Sequence, residues 1–99
     1  MNIAISSPHL KISETLEHQI KTKFTNLSKM NERMISCNIL LKKEENSKQQ
    51  KYMMEAKLNA PGKSLFAAER AETFEIALDK LIDDIKHQLR RHKDVSHAS

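Results

Sequence analysis

Ninety-nine residues with 17 Lys and Arg against 13 Asp and Glu, and a pI near 9.3, describe one small basic domain suited to an anionic partner. One Gly and two Pro exclude a linker-rich or disordered chain, a single Cys excludes an internal disulfide, and no run of about 18 apolar residues is present to span a membrane. The start, MNIAISSPH, has no apolar stretch of a signal peptide, and the lone Cys37 fits a reducing cytoplasm, where the chain is expected to act.

Asn2 to Ser6 alternates, with Ile3 and Ile5 on one side, and reads as a short strand stopped by Ser7-Pro8. Ser13 is placed to cap a first helix, with Glu14 and Glu17 at the positive end of its dipole. Leu16, Ile20, Phe24 and Leu27 give that helix a buried stripe, and it ends near Lys29. Each such side chain is worth about 1.5–3 kcal/mol when buried, so the stripe can dock the helix. Ile35, Cys37, Ile39 and Leu41 alternate with Ser36, Asn38, Leu40 and Lys42 as a second strand, and the polar run Glu44 to Gln50 is a loop. Tyr52, Met54, Ala56 and Leu58 alternate with Met53, Glu55, Lys57 and Asn59 as a third strand. Pro61-Gly62 suits the centre of a type II turn, which makes Ser64 to Arg70 a fourth strand in a hairpin with the third. A second helix opens near Glu72-Thr73. Met30, Met34, Met53 and Met54 are expected as core or edge filler, with Met53 a candidate for the exposed face. The fold class is α+β, in the order β-α-β-β-β-α: a four-stranded sheet with two helices on one face and Asn38, Lys42 and Lys57 on the other. The domain is expected over 1–95, with 96–99 a disordered tail.

The second helix carries the strongest functional signal. Phe74, Leu78, Leu81, Ile82, Ile85 and Leu89 form its apolar stripe, and from 86 to 93 it has no acid and a charge of +4. At 100° per residue Lys86, Arg90 and Lys93 fall along one flank of the stripe, and Lys80, His87 and Arg91 along the other. Two cationic edges can straddle phosphates on separate backbone turns, and Arg supplies bidentate forks for them. On the first helix Lys23 and Lys29 share a polar flank with Gln19 and Asn26, and side-by-side helices bring Lys23 into the same groove. The candidate RNA-binding set is therefore Lys23, Lys29, Lys80, Lys86, His87, Arg90, Arg91 and Lys93. Phe24 and Phe74 read as buried, which favours backbone recognition of a folded RNA over stacking on single-stranded bases.

Other chemistry is sparse. Asp79 and Asp83 read as a solvated face partnered by Lys80 and Lys86. His87 and His92 are five apart, which does not face one metal from a helix, and the only Gly lies in the turn rather than in a phosphate loop. Cys37 reads as a small buried hydrophobe. No nucleophile is paired with a base, so an enzyme, a cofactor, a metal site, a small-molecule substrate and a membrane partner are not expected.

Longer motifs add to this. Ile12-Ser13-Glu14-Thr15-Leu16 opens the first helix and Lys23-Phe24-Thr25-Asn26-Leu27 closes it; Glu55-Ala56 sits on the third strand and Pro61-Gly62 in the turn; Leu78-Asp79-Lys80-Leu81-Ile82-Asp83-Asp84-Ile85-Lys86-His87-Gln88-Leu89-Arg90-Arg91-His92-Lys93 runs along the second helix. In order and spacing, over nearly the whole chain, these resemble the short ribosome hibernation factors, the family that includes the hibernation-promoting factor and the ribosome-associated inhibitor. Glu72-Thr73-Phe74 departs from that family's Asp-Met-Tyr, Asp84 replaces a Lys, His87 replaces an Arg, and Asn26 stands where some members have a Lys. Lys86 and Arg90 add charge at positions that need not be basic.

The resemblance implies a fold akin to a double-stranded-RNA-binding domain. It also implies a seat on the small ribosomal subunit and its ribosomal RNA, in the messenger and transfer RNA channel at the A and P sites, as a monomer, and silencing of translation in stationary phase or stress. Only six residues follow Lys93, at most about 20 Å extended, and with that ending the resemblance implies the short type that promotes inactive ribosome dimers. The residues themselves leave a generic RNA-binding module open, and the resemblance, through a sigma-factor-modulation name among relatives, leaves open an interaction protein that modulates a sigma factor or transcription complex.

Overall fold

Alternating segments become strands and 3.6-residue stripes become helices in a computed structural model of the chain, which describes residues 1–30, 33–46 and 48–98, with side chains through Arg91. The order is β1 (Asn2–Ser6), α1 (Glu14–Met30), β2 (Ser36–Lys43), β3 (Tyr52–Ala60), β4 (Lys63–Ala71) and α2 (Phe74–Ala98). The strands form one sheet in the order β1-β2-β3-β4, with β1 parallel to β2 and the other neighbours antiparallel.

Register explains the two faces. One row across the sheet is Ile3, Cys37, Leu58 and Leu65, and another is Ile5, Ile39, Ala56 and Ala67. With Leu41, Met54 and Ala71 these residues meet Leu16, Ile20, Phe24 and Leu27 of α1 and Ala77, Leu78, Leu81, Ile82 and Ile85 of α2 in one core. Both helices therefore cover the same face, as the alternation predicts. The alanines at 67, 71 and 77 let α2 approach β3 and β4 closely. The hairpin between β3 and β4 closes on Pro61-Gly62, with Gly62 at φ 76°, the left-handed value that a type II turn demands of its third residue.

The helix starts are capped from the sequence. Ser13 Oγ accepts from the Leu16 amide at 3.0 Å, and Thr73 Oγ1 accepts from the Ile76 amide at 3.1 Å. α2 begins at Phe74, after its Thr73 cap, and its backbone is helical across the residues 96–98 expected as tail.

Three placements correct the sequence reading. Ile35 lies just before β2, at the end of the sheet, and is 56% exposed although its carbonyl and amide still bond the Asn2 amide and the Asn59 carbonyl. Met30, at the last residue of α1, is equally exposed; the stripe has already ended at Leu27. Met53 stands on the open face by register, opposite Met54, yet is buried between its cross-strand neighbours Lys42 and Arg70, whose long aliphatic stems suit that cover.

Candidate nucleic-acid interface

α2 lies against β4 with opposite direction. Lys80 Nζ donates to the Arg70 carbonyl at 3.2 Å, and one turn pair later Gln88 Nε2 donates to the Phe66 carbonyl at 3.0 Å and to Asp84 Oδ1 at 3.1 Å. These side chains satisfy carbonyls on the outer edge of β4, an edge that would otherwise be open to pairing with another strand. Lys80, placed among the RNA-binding candidates, is thus engaged with the sheet edge. Asp84, where the resembling family has a Lys, orients Gln88.

The other flank of α2 faces α1. β1 and β4 point the same way, so α1 and α2 both return antiparallel to them and lie parallel, side by side. Lys23 Nζ pairs with Asp79 across the helix interface. The helices pack against each other and Lys23 reaches across to α2, but its partner there is an acid. Asp79 is therefore matched from α1, not by Lys80 or Lys86 on its own helix. Lys21 instead pairs with Glu17 along α1 at 3.0 Å.

Beyond that bridge the cations are unmatched. Lys86 is half-buried at the stripe's edge, while Lys29, His87, Arg90 and Arg91 are exposed. None of these five has an ion-pair partner among the described residues. The side chain of Lys93 lies outside the described residues. Among the residues whose side chains are described, Leu89 is the last of α2 to pack against the core, and Arg90 and Arg91 follow it on the helix. At about 1.5 Å per residue a 25-residue helix spans about 37 Å, and the cationic turns occupy its far end.

One residue escaped the sequence reading. Phe66 is 59% exposed, on the open face of the sheet. The signal was present: a two-residue turn pairs Ala60 with Lys63, which fixes parity along β4 and sends Phe66 outward whenever Leu65, Ala67 and Ala71 point inward. Elsewhere, among the described residues, no group of three or more His, Cys, Asp and Glu is placed to hold a metal ion. No helix is long and apolar enough to cross a membrane.

The chain is 32% identical over 99 residues to the ribosome hibernation promoting factor of Acinetobacter guillouiae, covering 94% of this chain and 88% of that protein. It is 31% identical to the protein of the same name from Salmonella typhimurium, with 95% of each covered. Its fold superposes with a TM-score of 0.82 on a ribosomal subunit interface protein from Coxiella burnetii, covering 95% of this chain and 99% of that one, and with 0.76 on the Protein Y N-terminal domain of Thermus thermophilus, covering 93% and 99%. Both structures are 18% identical in sequence, so that likeness concerns the fold. Residues 3–96 match the family described as Sigma 54 modulation protein / S30EA ribosomal protein, and the chain belongs to that family.

Proposed function

We propose that this protein is a ribosome hibernation factor: it binds the small ribosomal subunit in the messenger and transfer RNA channel at the A and P sites, silences translation in stationary phase or stress, and promotes inactive ribosome dimers. It acts in the cytoplasm, as a monomer on each subunit, by occupancy rather than by catalysis. The observation that carries the reading is the row of cations on the far half of α2, without ion-pair partners among the described residues, in a chain whose relatives bear the hibernation name. Arg90 and Arg91 offer planar forks for phosphate, Lys86 and, by sequence, Lys93 add positive charge, and Lys23 and Lys29 extend the surface onto α1. Among the described residues no polar or charged side chain is buried, which suits recognition of an RNA backbone better than turnover of a small substrate.

Salt tests the electrostatic part. Neutralising about five phosphates gives a log–log slope of about −3.5 to −4.5 for binding against salt. Co-sedimentation of purified protein with small subunits across a salt series measures it. A slope near zero would remove α2 as the anchor. Capture of polymerase from a ribosome-free extract, with no ribosome binding, would favour the sigma-factor reading instead.

A further inference from the structure

The open face of the sheet is not a bland solvated surface. Register sets Ala4, Asn38, Lys57 and Phe66 in one row across all the strands, and Ser6, Leu40, Glu55 and Ala68 in the next. Phe66 is the most exposed large apolar side chain of the molecule's described residues. Ala4 and Ala68 are too small to cover it. Between Phe66 and β1 the surface dips into an open depression of about 430 Å³, lined by Ala4, Ser6, Asn38, Leu40, Glu55 and Lys57. That volume lies within the range of small-molecule sites and suits a nucleoside-sized group.

The chemistry around the ring selects an occupant. Lys57 is the direct cross-strand neighbour of Phe66 and has no ion-pair partner among the described residues. Asn38, next in the row, carries both an amide donor and a carbonyl acceptor, the pair needed to read a base edge. Further along the face stand Lys42 and Arg70, the latter bridged to Glu44 at 2.9 Å; with Lys57 these three cations face two acids, Glu55 and Glu44, which leaves the face with a small positive excess. An exposed ring, a free cation beside it, an amide within the same row and a net positive face match a single-stranded nucleic acid, whose bases offer flat faces and whose backbone offers negative charge. An apolar protein partner would find only one large ring here, and a duplex offers no free base to stack on it.

We infer that the open sheet face is a second RNA-binding surface, on the side of the molecule away from the helices, where a base of single-stranded RNA stacks on Phe66, Asn38 contacts the base edge and Lys57 contacts the adjoining phosphate. This inference does not rest on the ribosome reading. It gives the protein two RNA surfaces back to back: one on α2 for a folded backbone, one on the sheet for an unpaired strand.

A short fluorescein-labelled oligouridylate, titrated with the purified full chain at low salt and followed by anisotropy, tests it. Phe66→Ala weakens binding about 5- to 100-fold, the loss of one stacked base. Lys57→Glu weakens it as well, and Arg90→Glu with Arg91→Glu leaves it largely in place. Circular dichroism and the urea midpoint of each variant report folding, and an outward-facing ring can be removed without touching the core. Ultraviolet crosslinking of the wild-type complex, mapped by mass spectrometry, places the uridine on β3 or β4. No binding of the oligomer by the wild-type protein overturns the inference. So does binding that survives Phe66→Ala but is lost on reversal of Arg90 and Arg91, because the strand then sits on α2. Co-sedimentation of Phe66→Ala with small subunits is read separately, so failure here leaves the ribosome reading standing or falling by its own test.

Discussion

Lys23 and Asp79 hold α1 and α2 together at a point where their side chains are 42% and 63% exposed, so solvent screens the pair and its worth to stability is about 0–1 kcal/mol. Its larger effect is on availability: while bridged, Lys23 is partly withheld from an RNA phosphate. Asp79→Asn is expected to change the urea midpoint little and to steepen the salt dependence of small-subunit binding by about 0.7–0.9 in log–log slope, one added phosphate contact. An unchanged slope would mean that Lys23 serves the helix interface alone. Cys37 sits at the other extreme of environment. It is fully buried in β2, and burial pushes its thiol up to about 12. An unfolded thiol ionises near pH 8.5, so the stability tied to Cys37 is fully present below about pH 8.5 and is lost as pH rises from there toward about 12, where the unfolded chain sheds a proton that the folded chain keeps. Between about pH 8 and pH 10 the urea midpoint should fall further for the wild type than for Cys37→Ala. Parallel falls would show that the thiol is not shielded.

At the scale of the element, α2 divides its positions between packing and presentation. Leu81 is wholly buried and has no role outside the core, so Leu81→Ala should cost about 2–5 kcal/mol and lower thermal stability. Arg90→Glu with Arg91→Glu touches no packed position and should abolish small-subunit binding while leaving the unfolding curve in place. If the double reversal binds as tightly as wild type, the anchor lies elsewhere. The division also shows what periodicity can carry. The stripe of α2 and its opening near Glu72-Thr73 depend on local spacing, and both are legible in the sequence. What spacing cannot supply is the partner across an interface. Asp79 looked matched by Lys80 or Lys86 because those are its neighbours on the same helix; its partner comes from α1, 56 residues away. Lys80 looked like a partner of Asp79 and an RNA contact because the carbonyl it bonds belongs to the edge of β4, which spacing along the helix does not reveal. Ile35 and Met30 looked like core because a pattern does not announce where it stops, and Phe66 was passed over because its direction follows from pairing parity, not from its neighbours in the chain.

For the whole molecule, the long dimension of 45 Å against 25 and 19 Å reflects α2 running past the body of the sheet. An elongated body with cations toward one end is consistent with the seat proposed above. Profiling ribosomes from starved cells by sucrose gradient, with and without the gene, should show the ribosome-dimer peak disappear in its absence. Persistence of the dimers, or their conversion to single particles when the protein is added, would exclude the pairing role and leave silencing by occupancy. The parallel pairing of β1 with β2 has a further consequence, for how the chain assembles. Asn2 meets Ser36 only after α1 has been crossed, whereas β2, β3, β4 and α2 each meet a neighbour through a short connection. Closing the longer loop costs more chain entropy before any contact repays it. The meander and α2 can thus form a nucleus around Met54, Leu58 and Leu81, with β1 and α1 docking late. Emerging first during synthesis, the amino-terminal strand and helix wait, unpaired, for the rest of the sheet to be made.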